Sequence, residues 1–134
     1  MYYSFDLTVP ASTAETAPLV DEVELVPGTV TRVELQFPRG CVGLVHVQVF
    51  HAAHQVWPSN PGGAIAGDGS LVGWAEQWEL DDKPSGLRLV AWNDDDTFPH
   101  TVTFRFALQA ASGPEEEVPP PLTEQPAIEL LELP

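Results

Sequence analysis

Basic residues are scarce in this chain of 134 residues, which has 5 Lys and Arg against 20 Asp and Glu and a formal net charge of −15. Proteins that bind nucleic acid draw most of their affinity from basic side chains that neutralise phosphates. Anionic membrane surfaces attract the same basic side chains. The charge therefore predicts that neither nucleic acid nor a membrane is the partner.

Cysteine and long apolar runs are also scarce. The single Cys41 excludes an internal disulfide, and its turn-like surroundings at residues 38–43 favour a small packing residue over a reactive thiol. No apolar run approaches the ~20 residues of a membrane helix. Residues 1–6 lack the basic start and apolar segment of a targeting signal, so we expect a protein made in the cytoplasm.

Helical periodicity is missing as well, and alternation of apolar and polar residues takes its place. The segments predicted as strands are residues 3–9, 19–26, 29–37, 44–50, 55–57, 71–80, 87–92 and 100–108. Pro27 and Gly28 predict a hairpin between the second and third segments. About eight short strands indicate an all-β antiparallel sandwich, jelly-roll or immunoglobulin-like, over residues 1–109. Alternation leaves the strand order open.

The four histidines raise the question of a metal site, because neutral imidazole is a common ligand of zinc and copper. A cupin-type site on a jelly roll would need two histidines one residue apart on a strand, whereas Gln48 stands two residues after His46. His51 and His54 flank a predicted tight turn, which favours solvated turn residues. We therefore predict no metal and no cofactor.

Acidic residues offer two further alternatives. Asp94, Asp95 and Asp96 could supply oxygen ligands to calcium, with Asp68 as a further donor, but they lack EF-hand spacing and also suit an ordinary acidic loop. Carboxylate pairs such as Glu76 with Glu79, or Asp81 with Asp82, are the groups that glycosidases use. A small sandwich offers little room for the cleft that such chemistry needs. No nucleophile-elbow or phosphate-binding motif is present either, so we expect no enzyme activity.

Four tryptophans leave a carbohydrate-binding module as an alternative, because exposed indoles can stack on sugar rings. The parity of Trp74 and Trp78 with Val72, and the position of Trp92 at the end of an apolar strand, favour packing roles. Trp57 precedes a segment rich in proline and is the indole that we expect to be exposed. It is the candidate residue for ligand stacking.

Residues 110–134 form a distinct segment, with six prolines, six glutamates and no basic residue. Composition of this kind is typical of solvated, extended chain. Its end differs, because Ile128, Leu130, Leu131 and Leu133 are apolar and would gain nothing from solvent. We predict an extended arm whose last residues bind a partner, by strand addition or as a short helix in a groove. About 18 extended residues before this anchor span about 60 Å, enough to reach a neighbouring subunit.

Three segments of the domain carry a resemblance to a known class of protein. They are residues 37–47 (FPRGCVGLVHV), 54–61 (HQVWPSNP) and 92–101 (WNDDDTFPHT). With the strands around them, over residues 3–108, the chain resembles small β-sandwich structural proteins of tailed phages and prophages. The resemblance rests on turn and strand motifs, carries over no catalytic residue and does not include residues 110–134.

This resemblance implies a virion component, and we expect a capsid decoration protein on the outer surface of the shell. An anionic protein facing packaged DNA would be repelled, which agrees with an outer position. Its expected partners are the major capsid protein, other virion proteins and copies of itself in a homo-oligomer, for which a trimer is one option. A tail or neck subunit and a carbohydrate- or ligand-binding module, for example for a host surface, are the alternatives.

Overall fold

The computed structural model describes residues 1–80 and 86–111, which form eight β-strands. In chain order they are β1 (Tyr2–Val9), β2 (Leu19–Glu24), β3 (Gly28–Phe37), β4 (Val45–His51), β5 (His54–Trp57), β6 (Ser70–Leu80), β7 (Gly86–Asn93) and β8 (His100–Ala110). Every predicted strand is present, and each predicted boundary lies within two residues of the observed one. The all-β prediction is confirmed.

The strands form two antiparallel four-stranded sheets that pack face to face. The first sheet has the order β1-β8-β3-β6, and the second has the order β2-β7-β4-β5. The antiparallel pairs β1 with β8, β2 with β7, β3 with β6 and β4 with β5 describe one long hairpin that is rolled up. This is the arrangement of a double-sheet jelly roll. Of the two predicted architectures, the structure has the jelly roll.

Alternate residues of the long strands form the core between the sheets. On β8, Val102, Phe104 and Phe106 are fully buried, whereas Thr101 is exposed. Apolar β-branched and aromatic side chains suit such a half-buried pleated surface. Cys41 belongs to the same buried cluster, which confirms its packing role, and burial raises the pKa of its thiol.

The hairpin predicted at Pro27 and Gly28 is wrong, because this turn carries the chain from one sheet to the other. Glu24 at the end of β2 pairs with Gly86, whereas Gly28 at the start of β3 pairs with Leu80 and Ala110. A Cβ atom at Gly28 would collide with the backbone of β8, so the close approach of the two strands requires glycine there. Pro27 and Gly28 correctly predicted a break between two strands. Which strands pair is decided by residues far away in the sequence.

The tight turn predicted between β4 and β5 is confirmed, because His51 pairs directly with His54. Ala52 adopts a left-handed conformation within it, with a φ of 55°. Beyond this turn, β4 gains another neighbour. Val47 and Ile65 exchange backbone hydrogen bonds of 2.9 and 3.0 Å, so the loop that follows β5 returns to the edge of the second sheet.

The outer face of the second sheet carries an apolar row of its own. Val90 and Trp92 alternate with inward-facing residues of β7, yet each is only 6% exposed. The His46 ring on neighbouring β4 stacks on Trp92 at a centroid distance of 5.3 Å and an interplanar angle of 18°. The packing role predicted for Trp92 is therefore confirmed, on the outside of the sheet and not in the central core.

Candidate functional site

Trp57 is the predicted ligand-stacking residue, and the prediction that it is exposed is wrong. It is the last residue of β5 and only 3% exposed. Its ring stacks on Phe106 at 6.1 Å and meets Trp74 and Trp78 edge-on at 6.4 and 5.4 Å. These contacts come from β6 and β8 of the opposite sheet, so the proline-rich segment after Trp57 gave no sign of them. The indole has almost no ring face left on which a sugar could stack.

Glu76 organises the indoles at this rim of the sandwich, where β5 and β6 are the edge strands of the two sheets. Its Oε1 atom accepts hydrogen bonds from Trp57 Nε1 and from Trp74 Nε1, each at 2.9 Å. Burial raises the pKa of the Glu76 carboxyl, but these two bonds and one from the Gln77 amide outweigh burial, so that the net pKa lies below its usual range. The carboxylate is therefore ionised at neutral pH.

An open groove lies beside this carboxylate, with a volume of about 300 Å³. Its lining residues come from β5, β6 and the loop between them: Trp57, Pro58, Ser59, Ile65, Trp74 and Glu76. The peptide bond between Trp57 and Pro58 is cis. The groove thus combines an aromatic and aliphatic wall with one ionised carboxylate.

Two glutamine side chains fix the loop at residues 58–63, beside the groove. Gln55 Nε2 donates to the carbonyl oxygens of Pro58 and Gly63 at 2.8 and 3.2 Å. Gln48 Nε2 donates to the same oxygen of Gly63 at 2.8 Å. The two side chains thus supply hydrogen-bond donors to backbone carbonyl groups of a segment that is not a regular strand. The groove is therefore a formed feature of the fold.

Glu76 was not recognised as a site residue from the sequence beyond a carboxylate pair with Glu79. The two residues alternate to opposite faces of β6, with Glu76 half-buried and Glu79 exposed, while Asp81 and Asp82 lie outside the described residues. The alternation of residues along β6 nevertheless contained a sign of this role. Glu76 has the same parity as Trp74 and Trp78, so an acidic residue stood at an inward-facing position between two indoles.

The histidines are dispersed over separate contacts. His46 Nε2 lies 3.1 Å from Asp94 Oδ2, and His100 Nε2 lies 2.8 Å from Asp95 Oδ2. His51 meets Trp78 edge-on at 5.2 Å. In residues 1–80 and 86–111, the structure places no three His, Cys, Asp or Glu side chains where they could hold a metal ion together.

The acidic loop between β7 and β8 uses its oxygens to hold its own backbone. Asp95 Oδ1 accepts from the amides of Thr97 and Phe98 at 2.9 and 3.2 Å. The hydrogen bond from His100, together with these amides, lowers the pKa of the Asp95 carboxyl. Asp96 Oδ1 accepts from the Thr97 hydroxyl at 2.9 Å. Of the three carboxylates weighed as calcium ligands, Asp95 thus holds the loop backbone, Asp96 binds a loop hydroxyl and Asp94 contacts His46.

Asp68, weighed as a further calcium donor, caps a different turn. Its Oδ1 atom accepts from the Gly40 amide at 2.8 Å. Hydrogen bonds from the backbone amide of Val42, and then from those of Gly40 and Cys41, lower the pKa of the Asp68 carboxyl. Aspartate is common in turns for this reason.

The predicted partner-binding residues Ile128, Leu130, Leu131 and Leu133 lie outside the described residues. The described residues before this segment end at Ala111. The Ala111 amide donates to the Pro27 carbonyl at 3.0 Å, and the Leu108 amide donates to the Met1 carbonyl at 2.7 Å. Ala111 therefore lies at the end of the sandwich at which β1 begins.

The comparisons with known proteins give no family. No protein-family model matches the chain, and a search of curated proteins finds no match either. The described residues contain no helix of the length and apolarity needed to cross a membrane.

Proposed function

We propose that this chain is a virion structural protein, a capsid decoration protein that binds the outer surface of a phage shell. One observation carries the proposal: the buried core of the described domain closes at Leu108 and β8 ends at Ala110, while the sequence continues to an apolar end. Residues 1–80 and 86–111 supply both four-stranded sheets. We infer that the apolar residues at the end of the sequence serve to bind a partner.

Charge and shape agree with this role. A net charge of −15 favours a position away from packaged DNA, whose phosphates would repel the protein. On a repeating shell, many weak arms acting together give a strength that one arm alone would lack. The jelly roll supplies a compact, closed body for such a lattice, and the resemblance to phage β-sandwich proteins points the same way.

The arm is tested by replacing Ile128, Leu130, Leu131 and Leu133 together with serine in the full chain. We expect the wild type to sediment as a homo-oligomer and the variant to shift toward the monomer, because the apolar area that the anchor buries in a neighbour is lost. Sedimentation velocity over a range of concentrations measures this. A chain ending at Ala111 should behave like the variant.

The matched control changes charge in the same arm but leaves the anchor intact, with Glu115, Glu116 and Glu117 replaced by glutamine. This control should keep the oligomeric state of the wild type. At concentrations low enough for the wild type to be monomeric, thermal unfolding of all variants should be nearly unchanged, since the core of the described domain lies before residue 112. Unchanged sedimentation of the serine variant, with unchanged binding to shell particles, would contradict the proposed role of the arm in assembly.

A ligand-binding sandwich is the second candidate function, favoured by the groove beside Glu76. Because Trp57 is buried, this second candidate rests on the half-buried Trp74 and the Glu76 carboxylate. A tail or neck subunit would use the same arm and is distinguished by its place in the particle.

A further inference from the structure

No positively charged side chain forms an ion pair with the Glu76 carboxylate in the described part of the chain. Arg32 and Arg105 both approach Glu34, and Arg88 approaches Glu22, so these cations are engaged elsewhere. No ion pair to Glu76 forms within residues 1–80 and 86–111. A half-buried carboxylate without a cation loses hydration that its neighbours only partly replace. An incoming cation would recover this loss.

The two oxygens of Glu76 differ in how fully they are used. Among the described residues, Oε1 accepts from both indole N–H groups, whereas Oε2 accepts only a long bond of 3.3 Å from the Gln77 amide. A carboxylate has about four acceptor positions over its two oxygens. Oε2 therefore retains capacity for a donor that enters the groove.

The rest of the groove suits an organic cation. Its wall holds the partly exposed indole of Trp74 with the apolar side chains of Ile65 and Pro58. Tryptophan is the aromatic side chain that attracts ammonium and guanidinium groups most strongly. A site with an indole and an ionised carboxylate offers a cation both a π-face partner and a full charge, while a neutral ligand gains from the carboxylate only a hydrogen bond.

The volume limits the size of what can bind. About 300 Å³ is the lower end of the range for small-molecule pockets, enough for one side chain or one small amine. An oligosaccharide needs a longer platform of exposed rings, and Trp57 at 3% exposure does not contribute one. Size and charge together favour a single cationic group.

We propose that the groove between β5 and β6 binds a guanidinium or alkylammonium group, held by the Glu76 carboxylate against Trp74. This group comes either from an arginine or lysine side chain of a partner protein or from a small free amine. None of the described residues that line the groove belongs to the C-terminal arm. Its test therefore stands whether or not the arm mediates assembly.

The experiment is a calorimetric titration of the full chain with N-acetylarginine methylamide and with its neutral isostere, N-acetylcitrulline methylamide. We expect the arginine compound to bind and the citrulline compound to bind at least ten-fold more weakly. Glu76→Gln keeps an oxygen for the two indole N–H groups but removes the charge, and it should weaken arginine binding at least ten-fold. Glu79→Gln on the exposed face of β6 is the matched control, with binding within two-fold of the wild type.

Titration with agmatine separates the two sources of the cation. Tighter binding of the capped arginine assigns the site to a protein side chain, and tighter binding of agmatine assigns it to a free amine. Equal binding of citrulline and arginine by the wild type would overturn the proposal, and this comparison does not depend on the folding of any variant. Unweakened binding by a folded Glu76→Gln variant, or binding of cello-oligosaccharides in preference to arginine, would also overturn it.

Discussion

Phe106→Ala is expected to lower the free energy of unfolding by about 3 to 5 kcal/mol, the range for truncating a buried phenylalanine. Phe106 is fully buried on β8 and contacts Phe5 at 6.2 Å and Trp57 at 6.1 Å between ring centroids. Its removal leaves a cavity between the two sheets. The cavity cannot collapse, because β8 is hydrogen-bonded to β1 on one side and to β3 on the other. Small domains are stable by only about 5 to 15 kcal/mol, so much of the stability would be lost. Urea denaturation measures the effect.

The matched control lies three residues further along the same strand. Gln109 is exposed, so Gln109→Ala should change the stability by less than ~0.5 kcal/mol. Tryptophan fluorescence gives a second readout. Trp57 stacks on Phe106, so its indole should become more mobile and more exposed to solvent in the variant. A loss below about 1 kcal/mol for Phe106→Ala would mean that this ring does not hold the two sheets together as described.

Asn93→Leu is expected to cost about 2 to 4 kcal/mol, because it removes a buried amide that joins three segments of chain. Asn93 is 1% exposed. Its Nδ2 donates to the carbonyls of Val9 and Phe98 at 3.3 and 3.0 Å, and its Oδ1 accepts from the Asp95 amide at 2.9 Å. Leucine has a similar branched shape but leaves these backbone groups without their partner. Urea denaturation again measures the loss.

Hydrogen exchange distinguishes this role from a general loss of packing. The Asp95 amide should exchange much faster in Asn93→Leu, since its acceptor is gone, while amides of the β3–β8 pairs should change only with global stability. Thr97→Val is the control in the same loop. It removes only the hydroxyl bond to Asp96, in an exposed position, and should cost less than ~0.5 kcal/mol. Unaltered protection of Asp95 would contradict the bridging role of Asn93.

Strand positions could be read from the sequence because alternation is a local property. On β8, Val102, Phe104 and Phe106 alternate with polar residues, and the same residues are the buried ones. Burial of one face of a sheet dictates this pattern regardless of which strand lies beside it. The strand order carries no such local signature, so the jelly roll and the immunoglobulin-like arrangement both fitted the sequence.

The surroundings of Trp57 and Glu76 could not be predicted from the neighbouring sequence alone. The proline-rich segment after Trp57 predicted an exposed loop, but the indole is buried by Trp74, Trp78 and Phe106 from distant strands. Glu76 sits where alternation places an apolar residue, and it is tolerated because two indole N–H groups satisfy one of its oxygens. Only the packing of β5 against β6 brings these residues together to form the groove.

We propose that the protein decorates the outside of a shell, and electron cryomicroscopy of virions purified from the encoding host tests this proposal most directly. We expect an eight-stranded jelly roll on the outer surface of the shell, with density for the C-terminal arm running from Ala111 to a neighbouring subunit. Absence of the chain from the particle, or its presence only on the inner surface, would contradict the claim.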